Sequence, residues 1–236
     1  MIINMKKIIP VLTVIILIAA CKNKKNSTGE PVSSPVTVID STVSDTVRIG
    51  SQLWMKINLN TTHYRNGDVI AMVTDQTSWG TLTTGAWCYY DNDSAVHGAT
   101  YGKLYNWYAV NDPRGLAPAG YHIPSDAEWT TLETALGGDL VAGGAMKDTG
   151  TTHWDIPNTE ATNSSGFTGL PGGILDYNVS TGYGACRYVS VAGFWWSSTE
   201  SSASKAWGRH LNADNSKINR DENDKVSGFS VRCIRD

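Results

Sequence analysis

Apolar side chains along this chain come in short alternating runs punctuated by glycine and asparagine, with helical spacing in two stretches. Val47-Arg48-Ile49 and Gln52-Leu53-Trp54 flank Gly50-Ser51, a glycine-first connection that predicts an antiparallel hairpin with a type II′ turn. Tyr101, Leu104, Tyr105 and Tyr108 fall at i, i+3, i+4 and i+7, which predicts a helix ended by Asp112 to Gly115 with Pro113. Ser125 and Glu128 form a capping box, Trp129, Leu132 and Leu136 follow at helical spacing, and Gly137-Gly138 supplies the stop. Beyond Gly150 the pattern turns to short strands: Phe194 to Ser197, Ala206 to Leu211 and Phe229 to Ile234. In the last of these Phe229, Val231 and Cys233 share one face and Ser230 and Arg232 the other, as a half-buried strand requires. The same alternation sends Trp195 and Trp196 to opposite faces, leaving at most one of them for a ligand. Helices in the middle and strands at both ends predict an α+β domain with an antiparallel sheet, two main helices, and a core built on Trp107, Trp129, Leu132, Phe229 and Val231.

The amino end reads differently. Lys6 and Lys7 precede the apolar stretch Ile8 to Ile18, which closes on Ala19, Ala20 and Cys21, the plan of a secretory signal. The stretch falls short of the ~20 residues a membrane span needs, so cleavage is expected rather than retention. Leu17-Ile18-Ala19-Ala20-Cys21 resembles a bacterial lipobox, which implies a signal peptide over 1–20 and a lipidated first residue, Cys21. Residues 21–46, rich in Ser, Thr, Pro and Val, predict a flexible, disordered tether, and 47–236 the folded domain. The expected location is therefore the bacterial cell envelope, with the lipid anchor in the outer membrane and the membrane as one partner.

Composition narrows the chemistry. Across 236 residues, 19 basic against 22 acidic side chains leave no cationic surplus for a phosphate backbone, which excludes nucleic acid as a natural partner. Nine tryptophans and 23 glycines point to a turn-rich, aromatic-studded head rather than a helical bundle. Besides Cys21 there are three cysteines, Cys88, Cys186 and Cys233, so at most one internal bridge forms. Cys88 with Cys233 is the expected pair because both lie beside ordered aromatic or strand segments. His63, His97, His122, His153 and His210 are scattered, without metal-ligand spacing, and read as ordinary polar or structural groups. Asp214 to Asp224 is rich in oxygen ligands, which makes Asp214, Asp221 and Asp224 the candidates for Ca²⁺, but the loop lacks helix-loop-helix calcium spacing and solvated turns are the preferred reading, since Asp and Asn favour turns for backbone reasons alone. Trp195 and Trp207, beside Asn212 and Asn215, are the candidates for a ligand-binding face, since indoles stack on sugars and peptides.

Seven stretches carry a resemblance: Ile49 to Met55, Trp87-Cys88-Tyr89-Tyr90, Tyr101 to Trp107, Tyr121 to Trp129, Leu170-Pro171-Gly172-Gly173, Trp195 to Glu200 and Gly228-Phe229-Ser230-Val231-Arg232-Cys233. In this order and spacing they resemble the Fibrobacter succinogenes major paralogous domain. The same order resembles the formylglycine-generating branch of C-type-lectin-like folds, which implies a C-type-lectin-like domain. Oxidation in that branch needs two closely spaced cysteines before the last strand, and Ala203 to Leu211 holds none. The calcium-dependent sugar motifs Glu-Pro-Asn and Trp-Asn-Asp are also absent. The expectation is a non-enzymatic envelope module that binds a glycan or an envelope protein through its loops, with a degenerate or unrecognised enzyme of the same fold and a purely structural lipoprotein as alternatives.

Overall fold

The computed structural model describes residues 46–178 and 180–236, with the backbone alone at Asn178 and Tyr183. The expected signal peptide, the expected lipidation site Cys21 and the expected tether up to residue 45 lie outside the described residues. The predicted hairpin opens the domain as β1 (Thr46–Ile49) and β2 (Gln52–Met55), with Ile49 opposite Gln52. Gly50 carries a positive φ of 57° and Ser51 does not, which is the type II′ pattern. Short elements follow: β3 (Ala71–Met72), α1 (Gln76–Gly80), β4 (Ala86–Cys88), a π turn over Ser94–Gly98 running into α2 (Ala99–Tyr101), β5 (Leu104–Tyr105) and α3 (Trp107–Val110). The helix predicted across Tyr101 to Tyr108 is thus broken into pieces. Gly102 at φ 79° reverses the chain, and Leu104 and Tyr105 enter a strand instead. Side chains can share a helical period without a helix when one residue between them takes a left-handed conformation.

After β6 (Tyr121–His122) comes the predicted capping box. α4 (Asp126–Ala135) starts at Ser125, whose hydroxyl accepts from the Glu128 N–H while Glu128 accepts from the Ser125 N–H at 2.8 Å. Trp129 and Leu132 are buried as expected. The second long helix was not legible: α5 (Asp139–Met146) contains Gly143-Gly144, poor helix formers. A β-carbon on Gly143 would stand 2.3 Å from the Lys217 carbonyl oxygen, so the glycine is what lets the backbone before the eleventh strand cross this helix.

The remaining strands are β7 (Gly172–Asn178), β8 (Tyr183–Val189), β9 (Ala192–Glu200), β10 (Lys205–Asn212), β11 (Ile218–Asp224) and β12 (Ile234–Arg235). They complete three sheets: β1-β2-β12-β6, β3-β4-β5, and a five-stranded β11-β10-β9-β7-β8. The class is α+β, and pairing is mostly antiparallel; β3 with β4 and β7 with β9 run parallel, which corrects the purely antiparallel expectation. β9 is a wall between two cores. Trp195 faces Trp54, Trp129, Phe167 and Leu211, while Trp196 faces Tyr105, Trp107 and Phe229. Both indoles are fully buried, so alternation held and the inference of a free face did not, because both faces are covered. The predicted Cys88–Cys233 bridge is absent: the three described cysteines are free thiols, Cys88 packing with Trp79 and Leu175, Cys233 with Trp107 and Phe229.

The closing segment is buried on both faces, not one; Ser230 and Arg232 are as enclosed as Phe229 and Val231. It bonds to each sheet in turn: Gly228 with Leu175 of β7, Phe229 with Tyr105 of β5, Ser230 with Phe194 of β9, and Cys233 with Met55 of β2. Arg232 brings a guanidinium into this interior, and among the described residues it makes no ion pair with a carboxylate. Its N–H groups go instead to carbonyl oxygens of Met55 (3.0 Å), Phe167 (2.6 Å) and Thr168 (3.5 Å) and to Asn58 Oδ1 (2.9 Å), and its plane lies 4.3 Å from the Phe167 ring. Asn58 Oδ1 also accepts from the Trp195 indole at 2.9 Å. Replacing Arg232 by Met keeps the stem's volume and removes these donors, leaving buried carbonyls unpaired at about 1–3 kcal/mol each. Arg232→Met should therefore lose at least about 3 kcal/mol in denaturant unfolding; a loss below about 1 would show that the cage is dispensable.

Candidate functional site

A groove of about 600 Å³ runs between the outer face of α4, the start of α5 and β11. Helical spacing puts Thr130, Glu133 and Thr134 on one side of α4 while Trp129 and Leu132 point into the core. Asp139 and Leu140 come from the first turn of α5, and Lys217, Asn219 and Arg220 from the approach to and the body of β11. The walls thus present hydroxyl, amide, carboxylate and cationic groups around two aliphatic side chains, Leu140 and Ile218. Thr130 and Thr134 donate their hydroxyl protons to the Asp126 and Thr130 carbonyls, and the Thr130 hydroxyl oxygen in turn accepts from Arg209 at 3.4 Å.

The rim of the groove solves an electrostatic problem. Arg209 of β10 and Arg220 of β11 stand directly opposite each other, and like charges in that position repel. Asp126, the first residue of α4, lies between them: its Oδ1 accepts from Arg209 at 2.7 Å and from Arg220 at 2.9 Å, and its Oδ2 from Arg220 at 2.8 Å. Glu133, two turns along the same helix, takes the other side of the wholly buried Arg209. Burial works to raise the Asp126 pKa, but the hydrogen bonds from Arg220 and Arg209 outweigh it and hold the carboxyl below its usual range. Arg220 is partly exposed and lies flat over the Trp207 ring, 3.3 Å from its centre, so the groove continues into a cation–indole stack.

Of the residues the sequence nominated, Trp207 alone meets this groove, through Arg220. Trp195 is in the core, where stacking on a ligand is closed to it. Asn212 and Asn215 face inward through their backbones: their carbonyls, with that of Thr159, receive the Lys147 ammonium at 3.0, 2.8 and 2.8 Å. Burial pulls the Lys147 pKa down to about 8, with Asp214 and Glu160 pulling the other way. The loop expected to enclose Ca²⁺ is therefore organised around an internal cation of the protein itself. Asp214 is exposed, Asp221 pairs with His210 at 2.8 Å, and Asp224 with Lys205 at 3.4 Å. Asp221 and Asp224 lie an odd number of residues apart on β11 and so point to opposite faces. Among the described residues no group of three His, Cys, Asp or Glu side chains is gathered for a metal. The histidines are dispersed, His122 between Glu128 and Asp236, His153 on Asp148, and His210 stacked on Phe194.

The groove residues Thr130, Thr134, Asn219 and Arg220 were missed. The polar face of α4 was visible in its spacing, but nothing local reports that β11 pairs with β10 in the register that brings Arg220 to Asp126.

Asp126 gives the site a pH signature. Its folded pKa lies below the ordinary value, so it adds stability above about pH 4 that is lost as pH falls through the folded value. Asp126→Asn should cost about 1–2 kcal/mol near neutrality, because Glu133 still serves the buried Arg209 while the partly exposed Arg220 loses an ion pair that solvent screens. The gap in unfolding midpoint between variant and parent should narrow between about pH 5 and about pH 2; a constant gap would mean that the carboxylate charge is not what holds the two arginines.

Comparison with curated proteins returns no match. A family model does match, the Fibrobacter succinogenes major domain, over residues 47–235. That span takes in the opening hairpin, the capped helix α4, the β9 wall and the closing segment, and the chain belongs to the Fibrobacter succinogenes major domain family.

Proposed function

We propose that this chain is a lipid-anchored envelope protein whose head, of C-type-lectin-like fold, binds a glycan without transforming it. The observation that carries the ligand class is the α4–α5–β11 groove. Hydroxyl, amide and carboxylate groups line it in alternation, and a guanidinium already stacked on an indole closes one end. Sugars present a similar mixture: hydroxyls that accept and donate, and C–H faces that lie against aromatic and planar groups. The groove is shallow and polar, which suits a saccharide chain lying along it better than an apolar cofactor. The succession of hairpin, capped helix, glycine-rich turn and closing strand supports the fold assignment.

The anchor rests on Leu17 to Cys21. In this reading a lipid at Cys21 supplies the attachment; among the described residues no helix is long and apolar enough to cross a membrane. Cells fed labelled palmitate should incorporate it into the chain, and Cys21→Ser should abolish the label; equal labelling of both would remove the anchor from the proposal.

For the ligand, the full chain in detergent is presented to an array of bacterial polysaccharides and oligosaccharides, and retained sugars are titrated by calorimetry. The double change Thr134→Val with Asn219→Ala removes two hydrogen-bonding groups from the groove without touching Asp126 or either arginine. It should weaken binding by about tenfold or more, while Thr83→Val, in a separate cavity near α3, should not. Retention of no sugar by folded protein, or equal affinity of the double variant, would overturn the glycan reading; capture of an envelope protein through the same groove would replace it.

A further inference from the structure

Two thiols far apart in the chain meet at one cavity. Cys88 ends β4, where it is paired with Leu104 of β5. Cys186 lies in the middle of β8, opposite Leu175 of β7. Leu104 and Leu175 close on each other over Gly228: a β-carbon there would stand 3.0 Å from Leu175, 3.2 Å from Trp79 and 3.3 Å from Leu104. The chain leaving β4 then turns back over β8, and the Asp91 N–H donates to the Cys186 sulfur at 3.2 Å. Between these elements is a cavity of about 120 Å³ whose wall includes Trp79, Leu175 and both sulfur-bearing residues. Cys88 is buried and Cys186 half-buried, so one thiol is reachable and the other is not. Cys233 packs in a different cluster.

We propose that Cys88 and Cys186 form an intramolecular disulfide, a covalent staple between the three-stranded and the five-stranded sheet that a disulfide-bearing oxidant of the envelope installs. The exchange runs in two displacements. The Cys186 thiolate, its proton passed to water, attacks one sulfur of the oxidant's disulfide; that bond breaks and the first oxidant thiol leaves. Cys88, deprotonated in turn, attacks the Cys186 sulfur of the mixed disulfide, and the second oxidant thiol leaves. Two protein thiols lose two hydrogens and two electrons, and one oxidant disulfide becomes two thiols. Exposure sets the order of attack. Burial pushes the Cys186 thiol up to about 11 and Cys88 well above its usual value, so thiolate is scarce near neutrality and the pair closes slowly without a catalyst. Cavity space matters because a disulfide needs its sulfurs ~2 Å apart, and both residues line the same cavity.

The reduced full chain is incubated with oxidised glutathione at mildly alkaline pH, alkylated in denaturant, digested and mapped by mass spectrometry. The expected product is one linked pair of peptides carrying Cys88 and Cys186, with Cys233 alkylated. The unfolding midpoint should rise above that of the reduced chain, and the rise should be absent in Cys186→Ala and in Cys88→Ala. The map of the unaltered chain stands even where Cys88→Ala disturbs its cluster. A stable glutathione adduct on Cys186 with Cys88 reduced, a link to Cys21 or Cys233, or a link between two chains would each overturn the proposal.

Discussion

Buried cations held by backbone oxygens are the interaction on which this structure depends. A folded domain with short strands and long irregular connections buries many carbonyls that no ladder pairs, and each must find a donor. Arg232 supplies its N–H groups to one such set, joining the exit of the opening hairpin, the Phe167–Thr168 turn and the closing segment. Lys147 supplies another, gathering Thr159, Asn212 and Asn215. Lys103 repeats the device on the Asn60 carbonyl at 3.0 Å, with its ammonium over the Trp87 ring. An isolated ammonium or guanidinium is costly to bury, but a cation meeting several carbonyl dipoles and an aromatic face recovers much of that cost. The arrangement exchanges three loops' worth of unsatisfied acceptors for a few satisfied charges.

The groove uses the opposite solution. There the cations are opposed in pairs on adjacent strands, and carboxylates from a single helix neutralise them. The first turn of α4 is where a carboxylate is best placed, since exposed N–H groups at a helix start favour negative charge. Asp126 therefore serves the helix and the sheet at once, and fixes how β10 and β11 sit against α4. Arg232 and Lys147 hold loops through backbone oxygens, whereas the buried Arg209 and the partly exposed Arg220 hold secondary structure through carboxylates; the groove lies beside the second set, where Arg220 stays open to another molecule.

Much of the fold was legible where chemistry is local. The Gly50 turn, the Ser125–Glu128 box and the alternation of Trp195 with Trp196 each follow from a few adjacent residues, and each appears in the structure. Failures occurred where distant chain decides the outcome. Gly102 breaks a well-spaced helix because Leu104 and Tyr105 are claimed by β4 and by the closing segment. Gly143 hides α5 because a strand approach needs its missing side chain. Ser230 and Arg232 looked solvent-facing because a period of two reports alternation, not what covers the second face. Of the four residues nominated for a ligand face, Trp195 is enclosed in the core. Trp207 keeps an accessible edge, while Asn212 and Asn215 are drawn inward through backbone atoms, which side-chain identity does not announce.

Because β9 forms the wall of both principal cores, neither can melt by itself. Loosening the Trp54–Trp129–Phe167 side removes the support of Trp195, and the same backbone then ceases to hold Trp196 against Phe229. Amide hydrogens of β9 and of the closing segment should consequently be among the slowest to exchange, as parts of one cooperative unit that spans the three sheets.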